Sequence, residues 1–409
     1  MRLRIAWRNL TRGWRRSVIA IAAIAFGLGA AIFVVGLVKG MAAQMIDTAV
    51  GTSLAHVAVQ ARGYHRDPDL RRSLPDGGRA VLGAVRSQPG LAASPRLVGD
   101  GVVQSARQAV RAVILGVDPE NEVRISTVPA SVVEGTFLDG PPRTPLGREL
   151  APIVLGSKMA ERLNAHIGQK VVVHAPGESG LAAFRVQGIY RTASSEFDGS
   201  HAFLRLAEAQ RLFGAEDRVT EVAVLLERPG EARALQTWLR RHLGGDVEVL
   251  RWDERAPRLA AMVQFMGQVS WIFYAGIFVA MAFGIANVLF MAVYERIREF
   301  GIMRALGLRP GGLLAMVLLE SFLLTLVGTG AGIGAGFALV AGFSERGLDL
   351  AWFSEGLRAF GVGTAVRPRV DVGEVLSPVG IAAVTALVSG LFPALRAARL
   401  RPADAIRAV

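Results

Sequence analysis

The sequence predicts a membrane α-helical protein: four transmembrane helices, with a large α+β extracytoplasmic domain inserted between the first and second. Three observations predict it. Apolar residues make up 52% of the 409 and are clumped into long runs rather than spread by helical or strand period. The positive charge is confined to short segments beside those runs. Between the first and second runs, residues 39–264 carry alternating strand and helix patterns.

The charge sets the expected topology. The net charge is +12. Residues 1–16 hold six arginines and no acid, residues 294–310 four arginines and two glutamates, and residues 396–409 four arginines and one aspartate, which leaves the rest near neutral. Basic segments next to membrane spans stay in the cytoplasm. Both termini and the 294–310 link are therefore expected inside, and residues 39–264 and the 343–375 loop outside. A nucleic-acid partner is not expected, because its binder would spread basic residues over a folded face.

The first span is expected at 17–38, "SVIAIAAIAFGLGAAIFVVGLV", long enough as a helix to cross a bilayer core. A cleaved signal peptide is the alternative. The run is longer than a signal's apolar region and ends in no clean small-x-small site, so a retained anchor is expected. The other spans are expected at 265–293, 311–342 and 376–395, with Trp271 and Tyr274 as interfacial anchors of the second.

Within the third span, "GTGAGIGAG" puts Gly328, Gly332 and Gly336 four apart. That spacing makes a small face for close helix approach, not a phosphate loop, since no strand precedes it. Glu320 in the same span is expected to be a hydrogen-bonding strut to a neighbouring helix or to the 294–310 segment. A proton relay would need further ionisable groups.

In the outer domain, 54–60, 109–117, 169–175, 184–190 and 220–226 read as strands, and 156–168, 204–214 and 231–245 as helices closed by glycine. Their alternation suggests two subdomains, one inserted in the other. No enzyme constellation emerges. The histidines, at 56, 65, 166, 174, 201 and 242, make no metal-binding pair. Glu196 and Asp198 fall in a Ser/Gly-bearing stretch expected to be a solvated turn. With no cysteine, disulfides and thiolate metal sites are excluded. No catalytic residue and no metal are expected. Met41 and Met45, then Met262 and Met266, are i, i+4 pairs beside the membrane. Packing of two stalk helices on each other is the expected role, and with Phe265 they are the candidates for an apolar substrate's mouth.

The link "YERIREFGIMRALGLRP", 294–310, mixes signs. As a helix it would group Ile297, Phe300, Gly301 and Arg304 on one side and Glu295, Arg298, Glu299 and Ile302 on another. Mixed charge suits a protein groove better than anionic headgroups.

Several stretches carry a family likeness. "ERIREFGIMRALGLRPGGLLAMVLLESFLLTLVGTGAGIGAG", the tail "RPADAIR" (401–407) and the start "IAWRNLTRGWRRS", with "SPRL" (94–97), "ILGVDPE" (114–120), "VVEGTFL" (132–138) and "PIVLGSKMAERLNAHIGQKVVV" (152–173), cover the chain. The whole resembles the MacB/FtsX-like ABC transporter permeases, closest to the lipoprotein-releasing LolC/LolE permease subunits. The resemblance implies a bacterial inner-membrane protein with a periplasmic domain and no cofactor of its own. Its dimer, with an identical or a second permease, docks on two copies of a cytoplasmic ATPase that bind ATP and Mg. The chain has no G-x-x-x-x-G-K-[ST], so it is not expected to hydrolyse ATP itself. Glu295, Arg296, Arg298, Glu299, Phe300, Met303 and Arg304 become the ATPase-coupling residues. ATP-driven motion would pass through stiff helices to the outer domain, which releases or extrudes lipoproteins or other apolar envelope substrates to a periplasmic carrier or adaptor. Membrane lipid surrounds the spans. Drug, peptide or toxin efflux and a non-transporting, FtsX-like signalling role are the alternatives, the latter disfavoured by the size of the outer domain.

Overall fold

The structure, a computed structural model, describes residues 14–139, 150–176 and 180–399. Most of the basic N-terminal segment and the "RPADAIR" tail lie outside the described residues. The chain divides into two compact units.

The bundle unit comprises residues up to 42, 263–349 and 365 onward. Among the described residues it holds four helices long and apolar enough to cross a membrane: α1 (Trp14–Ala49), α9 (Pro257–Glu295), α11 (Pro310–Ser344) and α13 (Val372–Ala398). α1 and α9 also extend into the other unit. Buried residues recur at three- and four-residue steps, Ala20, Ile24, Leu28, Ala31 and Val35 on α1 against Tyr274, Phe278, Met281, Ile285 and Leu289 on α9, which is one face of each helix. Tyr274 is therefore packed inside the bundle, tilted against Phe278, and is not an interfacial anchor; Trp271 is exposed. Gly328, Gly332 and Gly336 face Ile24, Leu28 and Ile32 in step. A Cβ on each would come within 2.8–2.9 Å of the facing side chain, so only glycine permits this approach.

The α+β unit is residues 43–262 and 350–364. Its ten-stranded mixed sheet runs β10-β1-β9-β2-β3-β8-β5-β7-β4, with β6 bridging β2 and β7. Here β1 is Val57–Ala61, β2 Leu91–Gln104, β3 Ala109–Val117, β4 Val132–Gly135, β5 Ala151–Gly156, β6 Lys170–His174, β7 Leu181–Tyr190, β8 His201–Arg205, β9 Glu221–Leu226 and β10 Val247–Arg251. Two of its cores draw on different parts of the segment. One gathers Val57, Leu82, Val222, Leu239 and Val249 from the two ends of the segment. The other gathers Leu97, Ile153, Met159, Phe184 and Leu212 from its middle. The middle is thus inserted in chain order, and β2 serves both, pairing β9 through Leu91–Arg96 and β3 through Arg96–Gln104.

Two expectations about local structure give way. The strand expected from Leu54 starts at Val57, because α1 continues into a π-helical turn, Val50–Leu54, ended by Ala55 at φ 54°. Residues 195–200 form a short helix capped by Ser194, and Asp198 is fully buried instead of lying in a solvated turn. The reason is its partners. Its carboxylate accepts from the Thr192 amide at 3.0 Å, the Thr192 hydroxyl at 2.7 Å and Ser157 at 3.3 Å, and it pairs with Arg358 at 3.2 Å. Burial raises the Asp198 pKa, against those hydrogen bonds and Arg358, which lower it. Arg358 lies on a short helix, Ser354–Ala359, so this contact clasps the segment between α11 and α13 to the sheet.

Candidate functional site

The charged link between the second and third spans is not one helix. α9 ends at Glu295, Arg296 breaks the run at φ −110°, and α10 covers only Ile297–Ala305. Gly307 at φ 93° then closes it, and Pro310 opens the next helix.

The structure sorts the seven sequence-selected residues into two groups. Phe300 is buried with Val293, Leu313, Met316, Val317, Ala394 and Ala397, and Met303 packs on the same cluster. Arg304 Nη1 donates to the Ala398 carbonyl at 2.7 Å, satisfying a backbone acceptor at the end of α13. Arg296 is the hub: Nε donates to Glu299 at 2.9 Å, Nη1 to Glu320 at 3.3 Å, and the guanidinium lies 5.2 Å from the centre of the Phe300 ring. Glu320 is thus a partner of the link, as a strut would be.

Glu295, Arg298 and Glu299 point outward. With them on the exposed side are Ile302 and Leu306, the latter 82% exposed. Ile302 falls on this side by helical period alone, whereas Leu306 follows the end of the helix. Its signal is an apolar residue at i+4 from Ile302 where a surface helix would carry a polar one. The link therefore presents a charged and apolar face, held rigidly from behind by Arg296, Phe300 and Arg304.

The α+β unit contains a cleft of about 780 Å³ whose walls include Met45, Leu259, Met262 and Phe360, with His65 and Arg258 among the polar groups. It brings together Met45 and Met262 of the candidate substrate residues. Met41, Met266 and the exposed Phe265 belong to the bundle unit. His201 also lines the cleft, stacked on Phe197 with ring centroids 4.1 Å apart. Burial depresses its pKa to about 4, against a hydrogen bond with the Phe197 backbone, which raises it. No cluster of metal-ligating side chains occurs among the described residues.

Comparison with known proteins decides the family. The MacB-like periplasmic core domain matches residues 17–242, and the FtsX-like permease C-terminal domain matches residues 271–402. The chain belongs to the MacB/FtsX-like family of ABC transporter permeases. It is an inner-membrane protein whose α+β unit is a periplasmic domain. The lipoprotein-releasing system transmembrane protein LolC of Neisseria meningitidis serogroup B is 26% identical over 96% of this chain and 94% of its own length. The macrolide export ATP-binding/permease protein MacB 1 of Yersinia pestis bv. Antiqua is 25% identical over 99% of this chain, which spans 60% of that longer protein. The pyoverdine export ATP-binding/permease protein PvdT of Pseudomonas putida is 29% identical over 67% of this chain and 40% of its own length.

Proposed function

We propose that this permease releases lipoproteins or similarly lipidated, apolar cargo from the outer leaflet of the inner membrane, driven by ATPase subunits on separate chains. The observation that carries the coupling is the outward face of the link, Arg298 and Ile302 of α10 and Leu306 just after it, braced against the spans behind. A mixed charged and apolar knob of this kind fits a protein groove. On this reading the termini and α10 are cytoplasmic, two ATPase copies hold ATP and Mg, and two permeases pair as a homodimer or heterodimer. The cargo reading leans on LolC, similar over nearly the whole of both chains. The MacB likeness favours a second reading, extrusion through an adaptor of a drug, peptide or toxin.

Reconstitution of the permease with its ATPase in proteoliposomes carrying a triacylated lipoprotein tests both parts. Arg298→Glu with Leu306→Glu leaves the Arg296–Glu320 contact intact and should lower permease-stimulated ATP hydrolysis at least tenfold while the protein still folds. Stimulation equal to wild type would sink the docking face. Wild-type release no faster with ATP than without would sink the cargo reading.

A further inference from the structure

α1 ends where its last carbonyls need partners. The final turn of any helix leaves its C=O groups without intrahelical donors and carries partial negative charge. Here two arginines from distant segments answer that need. Arg96 Nη1, from β2, donates to the Ser53 carbonyl at 2.6 Å, and Arg255 Nη1, two residues before α9, donates to the Leu54 carbonyl at 2.7 Å. Both carbonyls belong to the π-helical turn that finishes α1.

The two arginines are joined by one carboxylate. Glu221, at the start of β9, pairs with Arg255 and lies 3.8 Å from Arg96, while Gln60 of β1 donates to it at 3.0 Å. Glu122 takes the rest of Arg96 in a two-point contact, Nε at 3.1 Å and Nη2 at 2.5 Å. Arg96, Glu122 and Glu221 are essentially without solvent exposure. Burial works against the charge on Arg96, and Glu122 and Glu221 outweigh it, so its pKa is raised. Buried charges of this kind contribute little net stability over an apolar core, yet removing one partner is costly, so they fix one geometry rather than add strength.

We infer that Arg96, Glu221 and Arg255 are the joint through which the end of the first membrane helix and the start of the second act together on the periplasmic sheet. Two side-chain routes out of the α1 terminus run through this cluster: Arg96 leads to β2, the strand shared by both cores, and Arg255 leads to α9. Glu221 makes the two arginines one body. A shift of either helix is then delivered to the sheet, and a helix cannot move without the other. These are positioning residues, and their role rests on the mechanical reading proposed above.

Arg255 is the residue to change, because Glu221 keeps Arg96 and Gln60 when it is gone, whereas loss of Arg96 strands the fully buried Glu122. The chain has no cysteine, so Arg107→Cys, in the exposed turn between β2 and β3, gives a single spin-label site per copy. Distances between the labels of the paired permeases are measured in the reconstituted complex with ATP and with ADP. Wild type should show a nucleotide-dependent shift. Arg255→Met should lose most of it, with permease-stimulated ATP hydrolysis within twofold of wild type and cargo released per ATP down at least tenfold; Arg255→Lys should recover much of the shift. If Arg255→Met keeps the full shift, or loses shift and hydrolysis together, the joint is overturned. If wild type itself shows no shift, the mechanical reading falls and the joint with it, whatever the cargo.

Discussion

Both ends of the helical machinery are closed by arginines, and the two closures differ. At the periplasmic joint, Arg96 and Arg255 cap α1 inside a sealed cluster with Glu122 and Glu221. At the link between spans two and three, Arg304 caps α13 and Arg296 holds Glu320, but Arg296 and Glu320 keep 18% and 14% exposure and the outer face stays open. The difference follows from what surrounds each site. The sheet domain can supply paired carboxylates, Glu221 from β9 and Glu122 from the short helix Pro119–Ile125, so charge can be buried whole. The link has only a short helix packed on span ends, so its charges stay near solvent, where pairing is weaker and a partner protein can still reach them.

The comparison predicts unequal costs. Arg96→Met should be the most damaging change, destabilising the periplasmic domain by about 3–5 kcal/mol because it leaves Glu122 buried without its cation. Thermal unfolding of the purified permease measures this; a loss no larger than that of a surface substitution would break the contrast.

Next in size is an acid-induced effect confined to the periplasmic domain. The imidazole of His201 protonates near 6.5 in the unfolded chain and only at about 4 in the folded one. Below 6.5 the unfolded state therefore binds the proton first. Full stability holds above 6.5 and is lost as pH falls from 6.5 toward 4, by at most about 3 kcal/mol. His201→Asn should flatten that limb of the unfolding midpoint against pH. An unchanged slope in the variant would show that other groups cause it.

Arg296→Met should cost least, about 1–2 kcal/mol, since Glu320 is partly exposed and its pairing with Arg296 is correspondingly weaker. Hydrogen exchange of the α10 amides should speed up while the periplasmic domain stays protected. Equal deprotection of both regions would mean that the two joints are not energetically separate.

Much of this was legible in one dimension. The four spans follow from apolar runs, and the glycine triplet follows from its four-residue spacing, because both are local patterns on a single helix. The strands at 109–117 and 221–226 were visible from β-branched runs. Those at 91–104, 151–156 and 201–205 were not, since "LAASPRLVGDGVVQ" carries a proline, two glycines and two charges that read as a loop. Only pairing with β9 and β3 makes it a strand. Asp198 was missed for a related reason: its neighbours Ser and Gly signal a turn, and its decisive partners, Ser157 and Arg358, lie far away in sequence.

The sequence by itself determined which segments enter the membrane, where the positive charge sits, and which helix face of the link is polar, because hydropathy, charge and helical period are properties of neighbours. The tertiary structure alone decided that Arg96, Glu122, Glu221 and Arg255 meet under the end of α1, and that Leu306 joins the outward face of the link. A charged residue reads as solvated until the fold brings its counter-charge, and that counter-charge is set by contacts between residues distant in the chain.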